Sequence, residues 1–336
     1  MTFSPETERC SRVHDLETEI ILKLRSAGYL TREELSGSSG AARADVGRLI
    51  ERLRKRGYRI DEIPGEGYRL VSSPDTLDAC ELTAELRSAG LTNPVSAFAS
   101  VDSTNDVAQS LAREGAPEGT IVAAEEQTGG RGRLGRKWHS PKGMGLWFSL
   151  VLRPDLEARQ SACLSLVAAA SVACALKGGC GIKASVRWPN DVVCGSKKIC
   201  GILTESGLAG GKLDFVVIGI GLNVRQRARD FPQDLRASAT SVAIECGRPV
   251  RRARLLADVI AAFQDRYEIC VSKGFGPARK ELLALSSLMG KFIRIATGKG
   301  DVEGTAVDID ETGALILRTE SGHRRPIIAG DVVSVM

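Results

Sequence analysis

The sequence contains only three histidines, His14, His139 and His323, too dispersed to suggest a metal site. Its nine cysteines include no CxxC pair, and the nearest pairs, Cys174/Cys180 and Cys194/Cys200, lack zinc-like spacing. An odd cysteine count without a framework fits reduced cytoplasmic thiols, mostly small buried residues. No GxxxxGK[ST] string is present, which removes a Walker-type phosphate loop. Sequence repeats and low-complexity segments are also missing. The longest uncharged apolar run, Ser161 to Leu176, falls short of the roughly 20 residues of a membrane span. Met1 to Leu16 is polar and charged, so no signal peptide is expected. A net charge of +5 permits polyanion binding without demanding it. These absences predict a soluble, cytoplasmic chain with no membrane partner.

At 336 residues, 43% apolar and 26% charged, the chain has room for two or three domains with substantial cores. Its most distinctive stretch runs from Glu125 to Arg153 and holds six glycines and two of the three tryptophans. Apolar runs flank it, Ile121–Ala124 before and Leu146–Leu152 after, so the expected order is strand, cationic glycine loop, strand. Glycines let the backbone approach a ligand and present N–H groups, and Arg131, Arg133, Arg136 and Lys137 add positive charge. Such a loop suits a multiply charged anion. Gly130-x-Gly132-x-x-Gly135 matches the dinucleotide fingerprint, but the fingerprint should open a helix. Here Pro141, Gly143 and a strand-like run follow. The plain alternatives are a solvated basic loop or a nonspecific RNA-binding arm.

Taken in order, residues 1–14 read as a polar tail. Leu16, Ile20, Ile21 and Leu24 have helical spacing, and a short second helix over Thr31–Leu35 begins with a capping box, Thr31 and Glu34. A turn is expected at Ser36–Gly40. Val46, Leu49, Ile50 and Leu53 then mark an amphipathic helix with a basic outer face that includes Arg43, Arg48 and Arg52. Two short strands around Pro64–Gly67 complete the order of a winged helix-turn-helix, whose third helix enters the DNA major groove. A small dimerisation or docking domain is the alternative, and Gly47 weakens the third helix by about 1 kcal/mol relative to Ala. After a linker at Ser72–Asp75, a helix over Glu81–Ser88 leads into a larger α/β domain. Its expected elements are strands at Val95–Ser100, Ile199–Glu205 and Phe215–Asn223, and helices after Asp102, at 161–177, 251–273 and 277–285. From Leu288 onward, short strands separated by Gly- and Asp-rich turns predict a small barrel-like β domain.

Three islands align within this frame: Ser103-Thr-Asn105, Gly130-Arg-Gly-Arg-Leu-Gly-Arg-Lys-Trp138, and Arg187-Trp-Pro-Asn-Asp191 with Lys198 seven residues on. Together they resemble the biotin–protein ligases. With the winged-helix pattern, nearly all of residues 15–336 is similar to the bifunctional type that also represses biotin genes. The resemblance implies an α+β multidomain chain. Residues 1–73 would be the winged helix-turn-helix, 74–287 a mixed-sheet catalytic domain, and 288–336 an SH3-like β-barrel. Such enzymes use ATP with Mg²⁺ to form biotinyl-5′-AMP, then transfer biotin to one lysine of a carboxylase carrier domain.

By the resemblance, Ser103, Thr104, Asn105, Gln127 and Gly130 belong to the biotin site, with Arg131, Arg133 and Lys198 contacting biotin and acting in catalysis. Arginine's planar fork suits the carboxylate and phosphate oxygens that must approach each other. Arg133, Trp138, Asn190 and Asn223 would hold the nucleotide, and Asp191 would assist a metal or position the lysine. Metal ligands are otherwise unassigned. Arg43, Arg48 and Arg52 are the DNA-contact candidates, and a ligand-linked homodimer would pair two winged helices on an operator. Arg187 stands where the family often has lysine, and Ala42-Arg43 where a serine often caps the recognition helix. The alternatives are a ligand-sensing transcription factor without ligase activity and a lipoate–protein ligase.

Overall fold

The computed structural model describes residues 5–39, 43–157, 160–210, 212–298 and 300–335, with side chains omitted for 5–14, 38–39 and 43–44. Contacts divide the chain into two compact units, Met1–Thr92 and Asn93–Met336.

The N-terminal unit contains helices α1 (Pro5–Ser26), α2 (Arg32–Ser39) and α3 (Arg43–Lys55), an antiparallel hairpin of β1 (Arg59–Ile63) and β2 (Gly67–Ser72), and helix α4 (Ala79–Ser88). The apolar spacing explains the packing: Ile20, Ile21 and Leu24 of α1 meet Val46, Leu49, Ile50 and Leu53 of α3 in one buried cluster. The Thr31/Glu34 capping box forms, with the Thr31 amide donating to Glu34 (2.7 Å) and the Glu34 amide to the Thr31 hydroxyl (3.2 Å). It starts a longer helix than expected. Ser36–Ser39 continue α2 instead of turning, and Gly40, the last residue of the expected turn, lies outside the described residues.

The first boundary also moves. The sequence places the 81–88 helix with the following domain, whereas α4 belongs to the N-terminal unit. The cause is a buried polar network invisible to periodicity. Glu81 is fully buried, accepting from the Tyr58 hydroxyl (2.6 Å) and the Arg25 guanidinium (2.7 Å), while Arg56 bridges Glu17 (2.6 Å) and the α4 N-cap Asp78. A carboxylate removed from water needs such partners.

The second unit is built on a seven-stranded mixed sheet of order β3-β4-β5-β9-β8-β7-β6. Its strands are β3 (Val95–Phe98), β4 (Ile121–Ala124), β5 (Gly145–Leu152), β6 (Ser185–Arg187), β7 (Asp191–Cys194), β8 (Lys197–Ala209) and β9 (Lys212–Asn223). Only β3–β4 is parallel. Helix α5 (Thr104–Arg113) covers part of one face through Ala108, Ala112, Val151 and Val217. The other helices are α6 (Ser161–Cys180), α7 (Val242–Cys246), α8 (Arg252–Lys273) and α9 (Gly276–Leu285). α6 is 20 residues, longer than the sequence suggests, and by length and composition alone could cross a membrane. Its most apolar window is 78% buried in the protein, as a core helix is. A five-stranded antiparallel sheet follows, β10 (Phe292–Thr297), β11 (Gly300–Ile309), β12 (Leu315–Arg318), β13 (Arg324–Ile327) and β14 (Asp331–Val335), in the order β13-β12-β11-β10-β14. All eight described cysteines are free and five are buried, as their scatter predicts.

Arg252, at the start of α8 and 1% exposed, braces both ends of the segment between β4 and β5. It donates to the two Glu125 oxygens (2.8 and 3.2 Å) and to the Gly145 carbonyl (3.3 Å). Removing one member of a buried pair strands the other charge, so Arg252→Met should cost about 3 kcal/mol. Urea unfolding of Arg252→Met and of the double variant with Glu125→Gln checks this. The double variant should regain part of the loss, and a double loss equal to the sum of the Arg252→Met and Glu125→Gln losses would show that the pair is not coupled.

Candidate functional site

A cavity of about 250 Å³ opens on the α5 side of the sheet. Its floor is made by missing side chains. Gly201 and Gly221 are cross-strand partners on β8 and β9, and Gly219 pairs with Leu203 on one side and Ser149 of β5 on the other. A Cβ on Gly221 would lie 2.4 Å from Trp138 Nε1, and one on Gly201 3.0 Å from the same ring. On Gly219 it would lie 2.2 Å from Asn105 Oδ1. The glycines therefore admit an indole and a carboxamide flat against the sheet.

At one end, Ser103 occupies the N-cap of α5 but makes no capping bond. Gln127 supplies it instead: its Oε1 accepts from the Thr104 amide (2.9 Å) and hydroxyl (3.1 Å), and its Nε2 donates to Ser140 Oγ (2.9 Å). Asn105 donates to Glu205 (2.7 Å), and its Oδ1 accepts from the buried Ser149 hydroxyl (2.6 Å). Ser103, Thr104, Asn105 and Gln127 all line the cavity, so two distant sequence islands meet in one polar end.

The glycine-arginine loop is a tight hairpin. Bridges pair Gln127 with Ser140 and Arg131 with Lys137, and a 3₁₀ turn at Arg133–Gly135 forms the tip. Leu134 there has φ 56° and is 78% exposed. Gly130 is buried behind the wall: a Cβ would strike the Trp138 carbonyl at 2.6 Å and Ser140 Oγ at 2.8 Å. This corrects one expectation. The amides of Gly129 and Gly132 are spent on Asp102 (2.9 Å) and Arg136 (2.7 Å), so the loop offers the cavity its side-chain cations rather than these N–H groups.

Four of the cations, Arg131, Arg133, Arg136 and Lys198, already face an acceptor of the chain. Arg131 forms a fork on Asp106 and lies 3.8 Å from Glu205. Hydrogen bonding from Arg131 lowers the Asp106 pKa, and the same bond raises that of Arg131. Since the folded-state pKa of Asp106 is depressed, this contact is intact above the ordinary carboxylate range and is lost as pH falls through the lowered value. Arg133 donates to Asn190 Oδ1 (3.3 Å) and the Gly330 carbonyl (3.3 Å), and Arg136 pairs with Asp331. Lys198 Nζ sits 2.7 Å from Asp191 and 5.1 Å from the centre of the Trp138 ring. Asn190 is anchored by its Nδ2 to the Ile202 carbonyl (2.5 Å), and Asn223 lines the far end.

The cavity thus gathers every residue expected at the ligand site except Gly130, which supports the wall. Several lining residues escaped the sequence reading: the floor glycines, Asp331 of β14, and Phe231, Leu235, Ser238 and Ala239 from the segment before α7. The alternation Gly219-Ile-Gly221-Leu-Asn223 was the legible signal for the floor, because it puts two glycines and the asparagine on one strand face. No periodicity marks residues 224–241. Among the DNA-contact candidates, Arg48 is exposed and paired with Asp45, whereas Arg52 bonds the buried Glu17 at 3.0 Å. The Arg43 side chain lies outside the described residues.

Asp191 and Asp331 are the carboxylates lining the cavity, and both are engaged by cations. The described residues contain no cluster of three or more His, Cys, Asp or Glu that could hold a metal. This donor set fits a Mg²⁺ carried in on phosphates better than a resident ion.

Comparison with known proteins places the chain in a class first. Residues 97–223 match the biotin/lipoate A/B protein ligase family, and 288–334 match the biotin protein ligase C-terminal domain. The chain belongs to this ligase family. Within it, the chain is 35% identical to the bifunctional ligase/repressor BirA of Bacillus spizizenii, over 94% of its own length and 98% of that protein's. It is 38% identical to the biotin–[acetyl-CoA-carboxylase] ligase of Paracoccus denitrificans, over 70% of this chain and 98% of the other. Among solved structures, the Aquifex aeolicus biotin protein ligase in complex with biotin and ATP matches with a TM-score of 0.63 and 32% identity. That match covers 73% of this chain and 99% of the other.

Gly221→Ala tests the floor. Its Cβ displaces the Trp138 indole, which should weaken nucleotide binding by about threefold to tenfold, the worth of an aromatic stack. Calorimetric titration with ATP in the presence of biotin reads this, alongside an unchanged thermal transition. Undiminished affinity would show that the indole does not contribute to the nucleotide site.

Proposed function

We propose that this protein is an ATP-dependent biotin–protein ligase that forms biotinyl-5′-AMP and transfers biotin to a lysine of a biotin carboxyl carrier protein, and that it also acts as a biotin-responsive repressor. One observation carries the enzymatic reading. A single cavity on a glycine floor joins an uncharged polar end to three cations, Arg131, Arg133 and Lys198, in a chain that is similar to a ligase/repressor over 94% of its length.

The chemistry follows from that arrangement. The polar end suits the ureido ring of biotin, with Ser103, Thr104, Asn105 and Gln127 as its hydrogen-bonding partners. Biotin's carboxylate is thereby directed at the cations. A carboxylate oxygen attacks the α-phosphorus of ATP, the bond to the β-phosphate bridging oxygen breaks, and pyrophosphate leaves. Bringing two anions together requires compensating charge, and Arg131, Arg133 and Lys198 supply it when substrate oxygens replace Asp106, Gly330 and Asp191 as acceptors. Trp138 packs the adenine, and Asn190 and Asn223 meet its edge. Mg²⁺, when bound on the phosphates, screens their charge. In the second step the carrier lysine's neutral amine attacks the biotinyl carbonyl. The C–O bond to AMP breaks, an amide forms, the amine loses a proton and AMP leaves. Lys198, beside the same oxygens, stabilises charge in both steps.

The repressor reading rests on the N-terminal unit, whose three helices and hairpin fit a winged helix-turn-helix with Arg48 as an exposed cation of the third helix. Arg52 is the weaker candidate, since it serves Glu17. The C-terminal strands are assigned as an SH3-like barrel that lends Asp331 to the loop. A ligand-linked homodimer would pair two winged helices on operator DNA, and the setting is cytoplasmic.

Biotin-dependent ATP–pyrophosphate exchange tests the enzyme, with lipoate as the control acid. Exchange is expected with biotin alone and should fall by at least about 100-fold in Lys198→Met, as when a preorganised charge at the reacting atoms is lost. Folded protein that binds biotin but exchanges with neither acid would leave a ligand sensor in its place.

A further inference from the structure

Asn223, the last residue of β9, is 3% exposed, and its amide has only one tenable orientation. Its Nδ2 donates to the main-chain carbonyl of Thr240 at 3.0 Å. A main-chain carbonyl can only accept, so the nitrogen must face Thr240 and the oxygen the other way. There Oδ1 accepts from Gln226 Nε2 at 3.2 Å. Gln226 is fully buried and outside the cavity, and its own main chain is held where the Ser241 hydroxyl donates to the Gln226 carbonyl at 2.5 Å. Its Oε1 is buried without a hydrogen-bond partner among the described residues. A buried orphan acceptor calls for an explanation. Turning the Gln226 amide over would set its oxygen against Asn223 Oδ1, so the orphan is the consequence of keeping the donor on Asn223.

We propose that Gln226 is a positioning residue that locks the Asn223 carboxamide in the orientation selecting adenine over guanine. This rests on the reading that Asn223 meets the base. After the bonds to Thr240 and Gln226, Asn223 has one N–H and one lone pair left for the cavity. Adenine offers an amino donor beside a ring-nitrogen acceptor, which matches that pair. Guanine offers O6 and N7, two acceptors, or on its Watson–Crick edge O6 and N1–H, the reverse of adenine's arrangement. Only a turned-over amide would suit that edge. Both existing bonds oppose the turn, one from each fork of the carboxamide. Without the Gln226 donor, one remains.

The test compares kcat/KM for ATP and GTP in biotin-dependent pyrophosphate exchange by the full-length protein. Wild type should prefer ATP strongly, and acceptance of GTP within tenfold of ATP would overturn the proposal without any variant. Gln226→Met keeps the chain length and removes the donor. It should narrow the ATP:GTP ratio by about tenfold, roughly one hydrogen bond, mainly through KM for ATP, with biotin affinity unchanged. Gln226→Leu carries the same expectation if Gln226→Met does not fold. A folded donor-less variant whose ratio stays within twofold of wild type overturns the Gln226 assignment. Asn223→Ala separates the two readings. If it leaves the ratio unchanged, Asn223 does not meet the base and both fall. If it collapses the ratio while Gln226→Met does not, only the Gln226 assignment falls.

Discussion

The site depends on a place where the sheet has no side chains. Three glycines on adjacent strands β8 and β9 leave a strip of bare backbone in the middle of an otherwise well-filled face. The residues expected at the ligand site are laid on or around this strip: the Trp138 indole on Gly201 and Gly221, and the Asn105 amide on Gly219. A β-sheet resists local distortion because each strand is bonded on both sides, so a cradle cut into it is rigid before any ligand arrives. Glycine weakens a strand interior, and here β9 is secured along its length by β5 and β8.

The second organising feature is charge already compensated by the chain. Arg131, Arg133, Arg136 and Lys198 converge on one cavity, and four cations this close would repel if unpartnered. Asp106, Asp331 and Asp191 hold them at the cavity wall. The partners come from the first turn of α5, the start of β14 and the start of β7. The loop is therefore fastened to two remote parts of the unit, α5 and β14, while Asp191 holds Lys198 of β8, and the C-terminal sheet is part of the site rather than an appendage.

Much of this was legible, for identifiable reasons. The strand–loop–strand order around Glu125–Arg153 was visible because apolar runs bounded a glycine- and arginine-rich segment, and β4 and β5 start within a residue of where those runs begin. Periodicity located α3 and its buried face. Lys198 and Asn190 were named only through likeness to a family, since neither an exposed lysine nor a turn asparagine announces a role by pattern. Other features depended on tertiary contact alone. Gln127 caps a helix that starts 23 residues before it in sequence, a pairing that spacing rules for caps cannot anticipate. α4 joins the N-terminal unit through Glu81, whose burial contradicts its polarity until Tyr58 and Arg25 are seen. Residues 224–241 include short 3₁₀ turns tied to β8 by main-chain bonds at Lys198 and to β9 by the side chain of Asn223, so they carry no period to read.

In the proposed reaction one cavity on the glycine strip holds both substrates and joins them. Its most direct measurement is a single-turnover incubation of the folded protein with biotin, ATP and Mg²⁺, without carrier, followed by mass spectrometry of what remains bound after gel filtration. The account predicts biotinyl-5′-AMP retained at close to one per chain. Unreacted biotin and ATP recovered together from the same cavity, with no adenylate formed, would contradict it.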